Sequence, residues 1–175
     1  MLAVLCYDGK VKMSEKIGLF TGSFDPLTSG HMDLIRRASR HFDSLLVGVF
    51  YNPDKPGFLS LEEREDLVRE AVKGLENVRV IVAQKKLVAE LAKEHGVTSL
   101  IRGIRNSQDL NYEARFDFYN KGLDPNLETL YLLAKPEYQF VSSSGVRELL
   151  AFDGDISPYV PKHVKEVLQK HHERK

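Results

Sequence analysis

The clearest candidate for chemistry is the stretch from residue 16 to residue 31, KIGLFTGSFDPLTSGH. Its apolar run IGLF predicts a strand, the turn-rich segment after it predicts a loop, and a helical pattern begins at His31. Gly22 and Gly30 allow the backbone to approach a ligand closely, and Ser23 adds a hydroxyl beside it. Because the N–H groups at a helix start attract anions, we predict a phosphate site. Position alone leaves His31 as either a phosphate ligand or a polar residue with no ligand.

A basic cluster, RGIRN (102–106), forms the predicted exit loop of another buried strand. Arg102 and Arg105 flank Gly103, and two guanidinium groups at this spacing suit the oxygens of a phosphate. The alternative is that they form ion pairs with Asp109 or Glu113 and only fix the loop.

Two further segments offer groups for an anion. The serine run 142–144 opens a predicted helix, with Arg147 one turn later; its simplest role is an N-cap, but hydroxyls at a helix start also favour an anion. Lys55 lies in the loop NPDKPGFL, where it could meet a phosphate, although an isolated lysine is more often only solvated.

Other kinds of chemistry lack support in the sequence. Neither the G-x-x-x-x-G-K-[ST] loop nor G-x-G-x-x-G occurs. His41, His95 and His163 are isolated, so no metal-ligand spacing emerges. No G-x-S-x-G elbow or Cys/His pair indicates covalent catalysis.

Strands and helices alternate five times along the chain. This pattern predicts a single-domain, Rossmann-like α/β fold with a doubly wound parallel five-stranded sheet and helices on both faces. The predicted strands start near residue 16 and cover 44–51, 78–83, 98–101 and 128–134. The predicted helices cover 30–42, a segment capped by Ser60 and Glu63, then 87–95, 109–123, the segment from the serine run to Phe152, and a last one from Pro161. Ligands of such sheets bind beyond the carboxyl ends of the strands, which is where the segments above lie.

The helix 109–123 is unusually aromatic. Leu110, Ala114 and Phe118 form one apolar stripe, and a second consists of Tyr112, Phe116 and Tyr119. Two apolar faces predict packing on the helix's own sheet and on a second subunit. The alternative is ordinary burial under the C-terminal helix.

Composition narrows the class of protein. The 175 residues include 25 basic and 25 acidic ones, for a net charge of +0, so a nucleic-acid partner is disfavoured. Cys6 is the single cysteine, which excludes an intrachain disulfide. We see no apolar run long enough for a signal peptide or membrane span, and expect a cytoplasmic protein without a membrane partner.

The domain is expected to cover residues 16–175. Residues 1–15 precede the first convincing strand and are expected to be an N-terminal extension, with Met13 an alternative start.

The motifs together resemble a known family. GSFDPLTSGH (22–31) is similar to the T/H-x-G-H signature of the nucleotidylyltransferase superfamily. RGIR (102–105), Asp109, YE (112–113) and VSSS (141–144) with Arg147 narrow the resemblance to bacterial phosphopantetheine adenylyltransferases. The relatives that make NAD precursors or activate choline and glycerol phosphates usually have His where this chain has Thr28. Ser23 stands where the family also has threonine, and residues before 16 have no counterpart.

The resemblance implies transfer of the adenylyl group of ATP to 4′-phosphopantetheine, giving dephospho-coenzyme A and pyrophosphate, with Mg²⁺ held mainly through the ATP phosphates. It implies a homohexamer as well. His31 would stabilise the transition state, assisted by Lys55 and Arg102. The implied ATP residues are Ser23, Phe24 (against the nucleotide), His31, Gly103, Ile104, Arg105, Glu113, Tyr138, Gln139, Phe140, Val141, Ser142, Ser143 and Ser144. Those implied for phosphopantetheine are Ser23, Lys55, Val88 and Arg102.

Elementary chemistry agrees with this reaction. The attacking phosphate is already anionic, so no general base or covalent residue is needed, only in-line positioning and stabilisation of the developing charge. Two alternatives remain. A nucleotidylyltransferase for another phosphorylated acceptor is opposed by Thr28 and the RGIR segment. A nucleotide-binding regulatory module is opposed by the joint presence of His31, Lys55 and Arg102.

Overall fold

The computed structural model describes residues 15–51 and 57–173. The expected N-terminal extension, apart from Glu15, and Lys55 lie outside the described residues, so both expectations stay predictions.

A five-stranded parallel sheet forms the centre of the fold, in the order β3-β2-β1-β4-β5. The strands are β1 (Ile17–Gly22), β2 (Ser44–Tyr51), β3 (Val78–Gln84), β4 (Ser99–Ile104) and β5 (Glu128–Leu133). The chain crosses from one half of the sheet to the other between β3 and β4. The switch point therefore lies between β1 and β4, where ligands of such sheets bind.

Helices cover both faces of the sheet, as predicted. They are α1 (Ser29–Ala38), α2 (Leu61–Val72), α3 (Val88–Glu94), α4 (Ser107–Leu123), α5 (Ser143–Ala151) and α6 (Lys162–His172), with short 3₁₀ turns at Ser39–His41 and Pro136–Tyr138. One core cluster joins α1, α2, α5 and α6 to residues such as Phe20 and Val47. A second lies between α3 and the opposite face, around Leu19 and Leu100. Alternate residues of the buried strands thus fill different cores.

Capping signals place several helix starts. The Ser60 hydroxyl accepts from the backbone N–H of Glu63 (3.1 Å), and the Glu63 carboxylate accepts from that of Ser60 (2.8 Å), the predicted capping box of α2. The predicted helix 30–42 started one residue late, because Thr28 is the N-cap and α1 begins at Ser29.

The RGIR segment is not a loop throughout, which corrects the predicted exit loop at residues 102–106. β4 continues to Ile104, since β5 pairs with it as far as the partners Ile104 and Leu133. Gly103 packs tightly here, and a Cβ on it would lie 2.3 Å from Cδ1 of Leu34 on α1. This glycine therefore brings α1 close to the sheet.

The orientation of α4 differs from the prediction. None of its residues is fully buried. The less exposed positions include Asp109, Glu113, Asp117 and Asn120, at helical spacing, so the stripe facing the molecule is polar. Both apolar stripes are largely exposed instead, with Phe118 74% and Tyr119 66% accessible. The prediction that one apolar stripe packs on the helix's own sheet was wrong.

Among the described residues, no helix is both long and apolar enough to cross a membrane.

Candidate functional site

Two adjoining cavities lie at the carboxyl ends of β1 and β4. The larger, about 490 Å³, reaches from these strands to the starts of α1 and α5. The smaller, about 250 Å³, runs between α4 and the sheet. They share a wall formed by Thr21, Gly22, Ser23, Arg102, Tyr112 and Glu113. The site can therefore hold two ligands that meet at Ser23 and Arg102.

His31 is fixed by a capping box in which it takes the place of the usual Glu or Gln. Its backbone N–H donates to Oγ1 of Thr28 (3.3 Å), and its Nδ1 accepts from the backbone N–H of Thr28 (3.1 Å). Because a backbone N–H only donates, the neutral ring carries its proton on Nε2. His31 lines the larger cavity, so this N–H is the group it offers to a ligand.

The surroundings of His31 keep its ring neutral. Burial, together with the positive charge of Arg105, lowers the pKa of His31 from 6.5 to about 4. The Phe24 ring packs edge-on against it, with ring centroids 5.2 Å apart. At pH 7 His31 is thus a hydrogen-bond donor without a charge.

Arg102 and Glu113 form a bidentate ion pair on the wall between the cavities. Nε and Nη2 of Arg102 donate to the two carboxylate oxygens at 2.6 and 2.7 Å. Nη1 of Arg102 donates to the carbonyl and hydroxyl oxygens of Thr21. The predicted alternative, pairing with Glu113, is therefore present. A guanidinium has five N–H groups, so one on Nη2 is left for a phosphate oxygen.

Arg105 makes the corresponding pair with Asp109. Its Nε and Nη2 donate to the carboxylate at 2.8 and 3.1 Å, and these bonds lower the pKa of Asp109 while raising that of Arg105. Both side chains line the larger cavity. The pair holds the guanidinium near His31.

The loop between β1 and α1 is anchored from below by a buried ion pair. The Asp25 carboxylate accepts from the backbone N–H groups of Phe58 and Leu59, both at 2.9 Å, and lies 3.2 Å from Nη2 of Arg64. Nη1 of Arg64 also donates to the Ser23 carbonyl at 3.4 Å. This network fixes the position of Ser23 in the loop.

The serine run closes the larger cavity from α5. The Ser142 hydroxyl caps the helix by accepting from the Gly145 N–H (3.1 Å), and that of Ser143 donates to the Pro26 carbonyl (2.8 Å). Arg147 is hydrogen-bonded to the Asp25 carbonyl. These groups thus join α5 to the first loop as well as facing the cavity.

Most of the predicted site residues come together. Ser23, His31, Gly103, Arg105, Glu113, Tyr138, Val141 and Ser142–Ser144 line the larger cavity, Val88 lines the smaller one, and Ser23 and Arg102 line both.

Four predicted residues do not line either cavity. The side chains of Phe24 and Ile104 are buried, 1% and 5% exposed. The expected contact of Phe24 with the nucleotide stays a prediction. Gln139 lies in the turn before the serine run, and Phe140, 90% exposed, lines a separate cavity.

Sequence reasoning missed the partnership of Thr28 and His31. Its signal was present, since T-x-x-H has the spacing of a capping box. Sequence reasoning also missed Asp33, which lines the larger cavity and lies 2.9 Å from both Lys135 and Arg37. Asp33 and Arg37 have the i,i+4 spacing of a helical ion pair, but no signal pointed to Lys135, which comes from beyond β5.

The described residues contain no group of three or more His, Cys, Asp or Glu side chains placed to hold a metal ion. The carboxylates of the larger cavity, Asp33, Asp109 and Glu113, are each paired with a basic side chain.

Comparison with known proteins agrees with this geometry. A family model described as cytidylyltransferase-like matches residues 19–149. A solved structure of a putative nicotinate-nucleotide adenylyltransferase from Vibrio parahaemolyticus superposes with a TM-score of 0.69 at 22% identity, covering 92% of this chain and 96% of that one. At this identity it establishes the fold alone.

Much more similar relatives share one name. The phosphopantetheine adenylyltransferase of Streptococcus suis (strain 05ZYH33) is 57% identical over 162 residues, covering 93% of this chain and 100% of that protein. That of Streptococcus sanguinis (strain SK36) is 53% identical over 163 residues, covering 93% and 99%. The chain therefore belongs to the phosphopantetheine adenylyltransferase family.

Proposed function

We propose that the two adjoining cavities transfer the adenylyl group of ATP to 4′-phosphopantetheine. An oxygen of the acceptor's phosphate attacks the α-phosphorus of ATP, the bond to the β-phosphate oxygen breaks, and dephospho-coenzyme A and pyrophosphate result. The observation that carries the proposal is the common wall at Ser23 and Arg102, since an in-line displacement needs two anionic ligands side by side. The family's name supplies the substrates.

The larger cavity suits ATP. It combines the Nε2–H of His31, the guanidinium of Arg105 and the serine-capped start of α5, all of which favour phosphate oxygens. The smaller cavity suits the acceptor, because it has Arg102 at one end and apolar side chains such as Val88 and Phe116 along its length. We assign Lys55 to the acceptor's phosphate on the resemblance alone.

His31 stabilises charge and moves no proton in this proposal. The neutral ring donates from Nε2 while Thr28 holds Nδ1, so the donor is already oriented before the substrate arrives. Arg102 offsets the repulsion between the two phosphates at the shared wall.

We propose Mg²⁺ as the cofactor, carried on the ATP phosphates and water. It would neutralise charge on the triphosphate during the transfer. The protein's part is to hold the triphosphate with His31, Arg105 and the start of α5, since the carboxylates of the cavity are already paired.

One assay tests the function. Protein, ATP and Mg²⁺ are mixed with 4′-phosphopantetheine, with nicotinate mononucleotide, or (using CTP instead of ATP) with glycerol phosphate, and pyrophosphate is followed. Release with phosphopantetheine alone is expected, and His31→Ala serves as the inactive control. Absence of release with phosphopantetheine would overturn the assignment. Release with another acceptor instead would support the alternative of a different nucleotidylyltransferase.

We further propose that the protein is a homo-oligomer, a hexamer by its resemblance. The exposed side chains of α4 and β5 support this, because so large an apolar surface is unusual on a monomer. Those outside the two cavities are Leu110, Phe118, Tyr119, Leu123, Leu130 and Leu133. A second copy of the chain is the occupant we propose, since a net charge of +0 brings no repulsion between copies.

The proposed place of action is the cytoplasm. The single cysteine leaves no intrachain disulfide, so nothing in the composition requires an oxidising compartment.

A further inference from the structure

The segment that leads from β5 to α5, residues 134–142, forms one wall of the larger cavity, and we call it the wall segment. It lies beyond the strand pairing of β4 with β5. Its residues from Lys135 to Phe140 are exposed, except for Tyr138, which is half-buried. Tyr138, Val141 and Ser142 nevertheless line the cavity. Contacts outside the sheet must therefore hold the wall segment in place.

Asp33 of α1 provides such contacts with both of its carboxylate oxygens. The side chain is buried, and its Oδ1 lies 2.9 Å from Nζ of Lys135. Its Oδ2 accepts from Nη1 of Arg37 at 2.9 Å, and the same Nη1 donates to the carbonyl oxygen of Leu133 at 2.9 Å. One carboxylate thus joins α1 to the end of β5 and to the beginning of the wall segment.

Backbone hydrogen bonds continue this connection towards α5. The carbonyl of Lys135 accepts from the backbone N–H of Tyr138 (2.9 Å), and the carbonyl of Tyr138 accepts from that of Val141 (3.1 Å). Tyr138 also lies close to α1, since a Cβ on Gly30 would be 3.6 Å from the Cβ of Tyr138. A displacement of Lys135 would therefore move groups that line the larger cavity.

The cluster keeps its charges at neutral pH. Burial alone would raise the pKa of Asp33, but the hydrogen bonds from Lys135 and Arg37 outweigh burial and hold this pKa below its ordinary value. The carboxylate lines a cavity that we assign to a triphosphate. Its two cationic partners thus also offset its repulsion of that ligand.

We propose that Asp33 is a positioning residue for ATP, which holds the wall segment through Lys135 and Arg37 in the position that binds the nucleotide. The inference rests on the proposed assignment of the larger cavity to ATP. Without Asp33 the wall segment would occupy this position for only a fraction of the time, and the apparent affinity for ATP would fall by that fraction. Bound ATP restores the position, so the rate at saturating ATP changes little.

The variant Asp33→Asn tests the proposal. Asn keeps the shape of the side chain, but its NH2 group cannot accept a hydrogen bond from either cation. KM for ATP is expected to rise by about tenfold, the scale of one lost hydrogen bond to a charged group. kcat and KM for phosphopantetheine should stay within about twofold of wild type. A merely structural role would instead lower the melting temperature and the active fraction, and hence kcat, with KM for ATP unchanged.

Two measurements without turnover check the same point. Calorimetric titration with ATP alone should show the tenfold loss of affinity directly. Hydrogen exchange should be faster at the amides of Tyr138 and Val141 in Asp33→Asn than in wild type, and saturating ATP should remove this difference.

Variants of Lys135 show whether the pair acts as a unit. Its side chain is 49% exposed, so Lys135→Met is expected to fold and to raise KM for ATP by a factor similar to that of Asp33→Asn. Lys135→Arg should keep KM within about twofold of wild type, and adding Lys135→Met to Asp33→Asn should change KM by less than about twofold. Arg36→Met is the matched control, since Arg36 is an exposed cation of the same helix outside the cluster, and it should keep the wild-type KM.

The outcomes are distinguishable from failure of the function itself. A wild type that binds ATP but releases no pyrophosphate with phosphopantetheine would overturn the proposed function, and the titrations would still decide the role of Asp33. Unchanged affinity for ATP in Asp33→Asn and Lys135→Met, additive effects in the double variant, or an equal loss in Arg36→Met would overturn the positioning role. A wild type that does not bind ATP would overturn both proposals. If Asp33→Asn does not fold, the two Lys135 variants decide.

Discussion

At the scale of single residues, His31 has two tasks that its variants can separate. Its Nδ1 accepts from Thr28 and so helps to start α1, while its Nε2–H faces the larger cavity. We expect His31→Ala to lower kcat/KM by roughly 10²–10³-fold, the effect of one oriented donor. His31→Gln can rebuild the capping box and should keep the wild-type melting temperature, yet lose at least about tenfold in rate because its amide is placed differently. Steady-state kinetics with a thermal melt checks both, and a wild-type rate in His31→Ala would contradict the role.

The lowered pKa of His31 also predicts how stability depends on pH. The folded chain holds the ring neutral down to about pH 4, whereas in the unfolded chain it takes up a proton near its ordinary value of 6.5. The unfolded state therefore binds more protons between these values, and His31 makes the fold less stable as pH falls from 6.5 to about 4. Above pH 6.5 the effect is absent.

Comparison with His31→Gln isolates this contribution from that of other groups. Urea unfolding at a series of pH values should show the variant gaining on wild type as pH falls through this window. If the free energies of unfolding of the two proteins change in parallel with pH, the His31 ring is not held neutral in the folded chain.

At the scale of the elements, local signals predicted more than periodicity did. The capping box of Ser60 and the continuous apolar run of β2 depend on neighbouring residues, and both were confirmed. One of the two apolar stripes of α4 was assigned to the helix's own sheet, and that was wrong. Periodicity shows which residues avoid water but not what covers them, and the sheet-facing stripe of this helix borders a ligand cavity.

In the candidate site, too, the sequence predicted positions better than it predicted contacts. The positions of His31, Arg102 and the serine run followed from loops at strand ends, which topology brings together. Whether Arg102 pairs with Glu113 was left open, because pairing depends on side-chain geometry across β4 and α4. The buried ion pair between Asp25 and Arg64 joins segments about forty residues apart. The sequence around either residue does not indicate that the other is its partner.

The buried ion pair between Asp25 and Arg64 predicts how much the loop between β1 and α1 depends on its anchor. Arg64→Met leaves the Asp25 carboxylate buried without its counter-charge, and we expect a loss of about 3–5 kcal/mol in the free energy of unfolding. Arg69→Met on the same helix is the matched control. It removes an exposed pair with Glu65 and should cost less than about 1 kcal/mol. Urea unfolding with a common m-value measures both, and equal losses would show that the buried pair does not anchor the loop.

At the scale of the whole molecule, one helix serves two purposes. The polar stripe of α4 lines the smaller cavity together with Tyr112 and Phe116, and other apolar residues of the helix, such as Phe118 and Tyr119, lie on the outside. A monomeric α/β protein would turn such a helix the other way, with its apolar residues on the sheet. The orientation is reasonable if a second copy of the chain covers the outer face, since burial of that face then offsets the apolar contact that α4 lacks with its own sheet.

Assembly is therefore expected to depend on the outer face of α4. Phe118→Glu places a charge on a side chain that is 74% exposed in the isolated chain, so it should leave the protomer folded but desolvate a carboxylate on association. Sedimentation velocity should show a shift from oligomer to smaller species. Phe152→Glu, at a site 81% exposed next to α5, is the matched control and should keep the wild-type assembly. Loss of assembly in the control alone would show that the interface lies next to α5 instead of on α4. An unchanged oligomer in Phe118→Glu would contradict the proposal that a second copy of the chain covers the outer face of α4.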